Sequence, residues 1–337
     1  MKPEDRFVEK LRALLPPAPG IRVGPGDDAA VVDWASGLLA VTTDMLVEGV
    51  DFLPGEDPER LGRRAVAVNL SDLAAMGAQP ELFLLSIAFP AHEREDFPLA
   101  VARGAIGRAA EFGAHLAGGD LSAAPARMVS VAAWGRLPGE PLTRGGASPG
   151  DRVYVSGTLG DAAAGLRVAK RLAAGEDERV QRSPGRSSEH RQRLLDAYRD
   201  PVPRIALGLA LARRGMASAA IDVSDGLGLD AGRLARASGA RVVLERDRLP
   251  ISPALVSFAV VEGIDPVELA ISGGDDYELL FTVPQAAAAR LEALAAEIGI
   301  TVTHIGGIEA GRGAVLRGPS GERDVAELGH DHLEAAS

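Results

Sequence analysis

Residues 65–80, AVAVNLSDLAAMGAQP, constrain the fold most, because they place an ionisable side chain on what reads as the buried face of a helix. Leu61, Ala65, Val68, Asp72 and Met76 recur at helical spacing on one side. Gly77, with Pro80 beyond it, marks the end of that helix. A carboxylate among apolar neighbours is costly unless something pairs it, and no Lys or Arg lies one turn to either side of Asp72. Two readings follow: a bound cation holds Asp72, or the helix is rotated so that Asp72 reaches water.

A chain of 337 residues exceeds one ordinary core and predicts two domains of roughly 100–200 residues each. With 46% hydrophobic and 25% charged residues, it can bury sizeable cores. A net charge of −11 and a pI near 5.1 argue against nucleic acid or an anionic membrane as the main partner, since phosphate surfaces require clustered cations. The lack of cysteine excludes disulfides, thiolate catalysis, zinc–thiolate sites and iron–sulfur clusters. The opening MKPEDRFVEKLRALLPP has no apolar signal core, and apolar runs such as 82–90 are too short to span a bilayer. The expectation is a soluble, cytoplasmic protein.

Residues 3–15 predict an amphipathic helix ended by Pro16, Pro17 and Pro19. A turn at 24–30, GPGDDAA, precedes the apolar 29–32, and a strand at 38–43 is expected to deliver Thr42, Thr43 and Asp44 at its end. After the helix around Asp72 come a buried strand at 81–89, a helix at 97–112 closed by Gly113, a strand at 116–122 running into a glycine turn, and a strand at 127–137. Strands interleaved with helices make an α/β or α+β first domain. The Gly- and Pro-rich residues 138–150 form the best boundary, giving domains at 1–138 and 151–337 joined by a linker at 139–150. In the second half, a strand at 152–156 leads through Gly157, Gly160 and Asp161 into a helix at 162–173. The charged, Ser-rich residues 175–192 predict a mobile loop. Helices at 204–214 and 227–237 flank a strand at 219–223, and another strand occupies 278–283.

The chemistry lies in aspartates at loop and strand ends: Asp27 and Asp28, Asp44, Asp72, Asp120, Asp222 and Asp225, then Asp275 and Asp276. Most sit beside Gly, Ser or Thr, a set of hard oxygen donors that suits Mg²⁺ with substrate phosphates in its shell. Any single Gly-Asp pair is also ordinary turn vocabulary. The six histidines show no zinc spacing, and His330 and His332 read as solvated. No GxxxxGK[ST] loop exists and the three lysines, Lys2, Lys10 and Lys170, lie outside glycine loops, so a P-loop enzyme is excluded; HRD and DFG motifs are also missing. A nucleotide would then be held through metal ions, backbone amides of Gly118, Gly119 and residues 157–160, and an arginine such as Arg144, whose bland reading is a solvent-facing linker residue.

The motifs GDDAAVV, TTDMLVEGVDF, AVNLSDLAAMGA, GGDLS, LTRGGASPGD, SGTLGDAAAGL, DVSDGL and SGGDDYEL occur in one order along nearly the whole chain. Together they resemble the thiamine-monophosphate kinase family, in the superfamily of aminoimidazole ribonucleotide synthetase. The resemblance implies a two-domain α/β (α+β) protein, a homodimer formed through the sheet of the first domain, and ATP-dependent phosphorylation of thiamine monophosphate to thiamine diphosphate. It implies Asp28, Thr42, Thr43, Asp44, Asp72, Asp120, Asp222 and Asp225 as Mg²⁺ ligands and Gly119, Asp120, Arg144 and Ser224 as ATP contacts, with no covalent nucleophile.

Asp51 stands where relatives often carry a histidine against the substrate, and would bind through a metal or water. Asp275 matches a thiamine contact. Relatives commonly end in a glycine, an aromatic residue and a His-Phe pair; Gly329, His330, Asp331, His332 and Leu333 stand here, so an aromatic stack on thiamine is not carried over. Phosphoryl transfer asks for little covalent work from protein, which agrees with a site made of aspartates. Another ATP-dependent small-molecule kinase and a metal-loaded, non-catalytic nucleotide sensor remain alternatives.

Overall fold

The computed structural model describes residues 1–2, 5–6, 8–9, 21–23, 26–34, 37–93, 96–175 and 188–331. The helix expected at 3–15 lies mostly outside them, as do His332 and Leu333. Two sheets organise the chain. The first, in the order β1-β2-β3-β6-β4-β5, comprises β1 (Ile21–Val23), β2 (Ala30–Trp34), β3 (Gly37–Val47), β4 (Gln79–Phe89), β5 (His115–Ala123) and β6 (Met128–Arg136). Its pairs are antiparallel except β4 with β5. One face carries α1 (Pro58–Ala75) and α2 (Asp96–Glu111).

The second sheet, β13-β12-β9-β11-β7-β10-β8, comprises β7 (Arg152–Ser156), β8 (Ala219–Val223), β9 (Arg241–Glu245), β10 (Glu278–Val283), β11 (Val302–Glu309), β12 (Gly313–Gly318) and β13 (Gly321–Asp324). Its helices are α3 (Asp161–Ala173), α4 (Ser188–Arg199), α5 (Ile205–Arg214), α6 (Leu227–Ser238), α7 (Pro253–Glu262), α8 (Pro266–Ser272) and α9 (Ala288–Ile298). No described helix is long and apolar enough to cross a membrane.

Helix α1 joins the two halves. Asp57 caps it by accepting the Arg60 backbone N–H at 2.8 Å, Pro58 opens it, and Gly77 beyond its end adopts φ +71°. Leu61, Ala65, Val68 and Met76 are all buried, as the spacing predicts. The helix packs on β3 and β6 of the first sheet, on β8 of the second and on α5, so one apolar core runs from Val131 and Phe83 through Leu73 to Leu207 and Phe281. Gly62 and Gly104 let α1 and α2 approach backbone to backbone: a Cβ on Gly62 would lie 1.9 Å from the Val101 carbonyl oxygen.

Four local expectations change. β3 continues to Val47, so Thr42, Thr43 and Asp44 sit mid-strand rather than at its end. β4 is buried on one face only, with Leu82 and Leu84 exposed, because a strand covered by helices on one side alternates in burial even where both faces are apolar. Gly118 and Gly119 lie within β5, not in a turn: a Cβ on Gly119 would come 1.9 Å from the Leu85 carbonyl oxygen of the neighbouring strand. Residues 188–192 of the expected loop begin α4, where Leu194, Leu195 and Tyr198 supply a buried face; residues 176–187 fall outside the description.

Candidate active site

A cavity of about 940 Å³ is lined from both halves of the chain. Two successive residues of α1 tie those halves together. Ser71 donates to the Asp222 carboxylate of β8 at 2.6 Å, and Asp72 accepts from Thr42 of β3 at 2.5 Å. One turn earlier Asn69 accepts the Asp44 backbone N–H at 3.0 Å while donating to the Ala65 carbonyl at 2.9 Å, which fixes β3 against α1. Strand alternation puts Thr42 and Asp44 on the α1 side with Ala40 and Leu46. Thr43 faces the other way and its hydroxyl donates to the Val131 carbonyl, although the residue still borders the cavity.

Asp28, Asp72 and Asp222 converge, each offering a carboxylate oxygen within 4.8 Å of the others. Burial, then the charges of Asp44, Asp222 and Asp28, holds the Asp72 carboxyl well above the ordinary carboxylate range. Burial, then Asp28, does the same to Asp222. Asp27 is pushed up to about 6 by burial and by Asp28. The compensating protein cation is Arg144, whose Nη2 donates to Asp28 Oδ1 at 2.8 Å; the linker arginine is therefore drawn into the site rather than facing solvent. The other oxygen, Asp28 Oδ2, is buried with no hydrogen-bond partner among the described residues. Three crowded carboxylates with an orphaned oxygen form a donor set that fits a hard divalent cation.

Around this centre, Ser224 and Asp225 follow β8, and Asp225 pairs with Arg233 of α6, which also donates to Asp230 at 3.0 Å. Asp51 accepts the Val47 backbone N–H at 2.8 Å, closing the turn after β3. Asp275 lies near Ser224, donating its backbone N–H to the Ser224 carbonyl at 2.7 Å. Most candidate residues border the cavity, but Gly118, Gly119 and Asp120 are exposed on the edge strand β5, and residues 157–160 and Asp276 also lie outside it, the Asp276 carboxylate accepting the Gly160 backbone N–H at 2.7 Å. His330 is exposed at the rim, its backbone N–H bonded to the Asp225 carbonyl. Sequence reasoning missed Asn69, Ser71, Arg64, Tyr198, Tyr277 and Arg233. The run Asn69, Ser71, Asp72 on an otherwise apolar helix was a usable signal; the partners of Arg64 and Arg233 are visible only in the fold.

Residues 26–137 match the family described as AIR synthase related protein, N-terminal domain, and residues 148–318 match its C-terminal domain. The thiamine-monophosphate kinase of Salmonella typhimurium LT2 is 39% identical over 292 residues, 86% of this chain and 85% of that one. The chain belongs to the thiamine-monophosphate kinase family. Among solved structures of the family, one described as “AaThiL complexed with AMPPCP and TMP” superposes with a TM-score of 0.82 at 30% identity, covering 98% of this chain and 96% of that one. The thiamine-monophosphate kinase from Stenotrophomonas maltophilia K279a gives 0.76 at 36% identity, covering 93% and 96%. Family membership and the two-sheet architecture therefore agree with the resemblance carried by the motifs.

Proposed function

We propose that this protein transfers the γ-phosphoryl group of ATP to thiamine monophosphate, giving thiamine diphosphate and ADP, the last step of thiamine diphosphate formation. The observation that carries this reading is the convergence of Asp28, Asp72 and Asp222 in a cavity walled by both halves of a thiamine-monophosphate kinase fold. The AaThiL complex supports it, since that protein holds AMPPCP, an ATP analogue, together with TMP. The cytoplasm, where ATP is maintained, is the setting the reading implies.

Held by Asp28, Asp72 and Asp222, with Thr42, Thr43, Asp44, Asp120 and Asp225 as further oxygen donors, Mg²⁺ ions would supply neutralisation of the facing phosphates. Arg144, with its guanidinium already at the carboxylate cluster, meets the nucleotide phosphates, Ser224 contacts the nucleotide through its hydroxyl, and Gly119, outside this chain's own cavity, would do so through its backbone from a second subunit. Asp51 and Asp275 border the acceptor side. An oxygen of the acceptor phosphate forms its bond to the γ-phosphorus as the bond to the β,γ-bridging oxygen breaks, so ADP leaves in line and no side chain is a covalent nucleophile. What the protein supplies is alignment and charge.

Residues 1–138 form the ATP- and metal-binding domain, 139–150 the linker, and 151–337 the domain that completes the site. The working unit is a homodimer through the first sheet. Leu82, Leu84, Leu116 and Leu121 are exposed on β4 and β5, and among the described residues β5 is an unpaired edge. The same association would carry Gly119 and Asp120 of β5 toward the partner's cavity. ADP release with and without thiamine monophosphate tests the activity: release that depends on the acceptor supports it, release dependent only on some other acceptor assigns a different kinase, and binding without release assigns a sensor.

A further inference from the structure

Helix α1 borders the cavity a second time, two turns before Asp72 and about 12 Å from it along the axis. There Arg64 is 4% exposed, with Nη2 3.0 Å from Asp275 Oδ1 and the guanidinium carbon 4.4 Å from the centre of the Tyr198 ring. Tyr277 donates its hydroxyl to the same Asp275 Oδ1 at 3.1 Å. An ion pair from Arg64 and a hydrogen bond from Tyr277 therefore meet on one carboxylate oxygen, while no hydrogen bond to Oδ2 is found among the described residues. The backbone carrying these groups is held in an unusual shape: Asp275 has φ +70° and Tyr277 φ +49°, fixed by N–H bonds to the Ser224 carbonyl at 2.7 Å and the Val223 carbonyl at 2.8 Å. Left-handed backbone at non-glycine residues persists where surrounding contacts over-determine it, and such contacts accumulate at ligand clamps. Arg64 Nε is also buried without a hydrogen-bond partner among the described residues, so the desolvated guanidinium is compensated by its Asp275 and Tyr198 contacts.

We propose that Arg64 is a positioning residue for the acceptor: with Tyr277 it pins Asp275 by Oδ1, so that Oδ2 is offered to the cavity as a hydrogen-bond acceptor for the amino group of a heterocycle. The acceptor would lie with its phosphate toward Asp72 and its amino-bearing ring toward Asp275, and the Arg64 clamp would set the preference for a ring that carries an N–H donor. The inference rests on the reading of Asp275 as an acceptor contact. Because Arg64 belongs to α1 and Asp275 to the loop before β10, the clamp also makes acceptor recognition depend on the alignment of the two halves.

The test compares wild type, Arg64→Ala, Arg64→Lys and Tyr277→Phe on thiamine monophosphate and on its analogue with oxygen in place of the exocyclic amino group. Arg64→Ala should raise the KM for thiamine monophosphate roughly 10- to 100-fold, the range expected when a carboxylate that accepts a charge-assisted hydrogen bond from the ligand loses the ion pair that positions it. The KM for ATP and kcat should stay within about threefold, and discrimination against the oxo analogue should collapse. Arg64→Lys should recover only part of the loss because an ammonium lacks the planar fork, and Tyr277→Phe should shift the same constants in the same direction by less. Retained discrimination, or an equal loss in both substrates' KM together with a lower melting temperature, would overturn the proposal. If Arg64→Ala does not fold, Tyr277→Phe decides on the same criterion. Wild-type binding of thiamine monophosphate by calorimetry without ADP release would defeat the kinase reading while leaving the clamp measurable as a Kd difference between the two ligands; no binding by wild type would defeat both.

Discussion

Asp72→Asn keeps the shape of the side chain and removes its charge from the centre of the site. With oxygens within 4.8 Å, each charged pair among Asp28, Asp72 and Asp222 repels by about 3.5 kcal/mol at an effective dielectric constant near 20. Asp72 takes part in two such pairs. Retention of protons and the Arg144 guanidinium beside Asp28 relieve part of this, leaving a penalty on the order of 1–3 kcal/mol in the metal-free protein near pH 8. The asparagine oxygen can still accept from Thr42, so metal-free Asp72→Asn should melt a few degrees above wild type.

The sign of the pH dependence is diagnostic. Folded Asp72 and Asp222 hold protons that the unfolded chain has already released above its ordinary value of 3.8, so this contribution to stability is complete below that value and is lost as pH rises through the raised folded values. The gap between variant and wild type in a chelator should therefore be small near pH 4 and widen toward pH 8. Added Mg²⁺ should raise wild type far more than the variant, whose kcat should fall by roughly 10²- to 10³-fold with only partial recovery in excess Mg²⁺. Thermal unfolding across pH, with and without EDTA, reads the first effect, and ADP release the second. A variant less stable than wild type in chelator at pH 8, yet normal in kcat and Mg²⁺ dependence, would refute the reasoning and return Asp72 to a structural hydrogen-bonding role.

Three further outcomes are expected. Free thiamine should be a poor acceptor, because its hydroxyl lacks the phosphate that the aspartate cluster would position; comparable kcat/KM for thiamine and thiamine monophosphate in an ADP-release assay would contradict this. The protein should scatter light as a dimer at micromolar concentration, and Leu84→Asp on the exposed face of β4 should shift it toward monomer without unfolding it; a wild-type monomer would contradict the sheet-face interface. Gly62→Ala should cost about 1–3 kcal/mol or more in urea unfolding, since its Cβ would meet the Val101 carbonyl at 1.9 Å, whereas exposed Gly107→Ala, with nothing within 4 Å, should be neutral or stabilising by about 0.5–1 kcal/mol.

What could be read from the sequence was what local periodicity encodes. The face of α1 was legible because Leu61, Ala65, Val68 and Met76 repeat at the helical period, and that made Asp72 conspicuous before any contact was known. The strand at Ala219–Val223 was legible as a short apolar run ending in polar residues, which located Asp222, Ser224 and Asp225 together. Long-range effects were not. Gly118-Gly119 carries the composition of a turn, yet glycine stands at 119 because the Leu85 carbonyl leaves no room for a Cβ, a requirement set by a strand some thirty residues away. Thr42 and Thr43 look equivalent in sequence and differ only through the strand's alternation against α1.

The same distinction explains why a correct list of aspartates falls short of a site. Asp28, Asp72 and Asp222 come from a loop, a helix and a strand of two different sheets, and their proximity depends on α1 being buried against both. Ser71 is bonded to Asp222 and Asp72 to Thr42, so rotating α1 by one residue would break the link to each sheet at once. A helix that positions charged groups on two sheets cannot slide or turn without loss on both sides, which is why its most closely packed points are glycines. Gly62 on α1 faces α2, and Gly208 on α5 brings a would-be Cβ within 1.9 Å of the Ala74 carbonyl, two residues beyond Asp72. Close backbone packing thus fixes the rotation of α1, and that rotation is what converts separated aspartates into a cluster able to hold a cation.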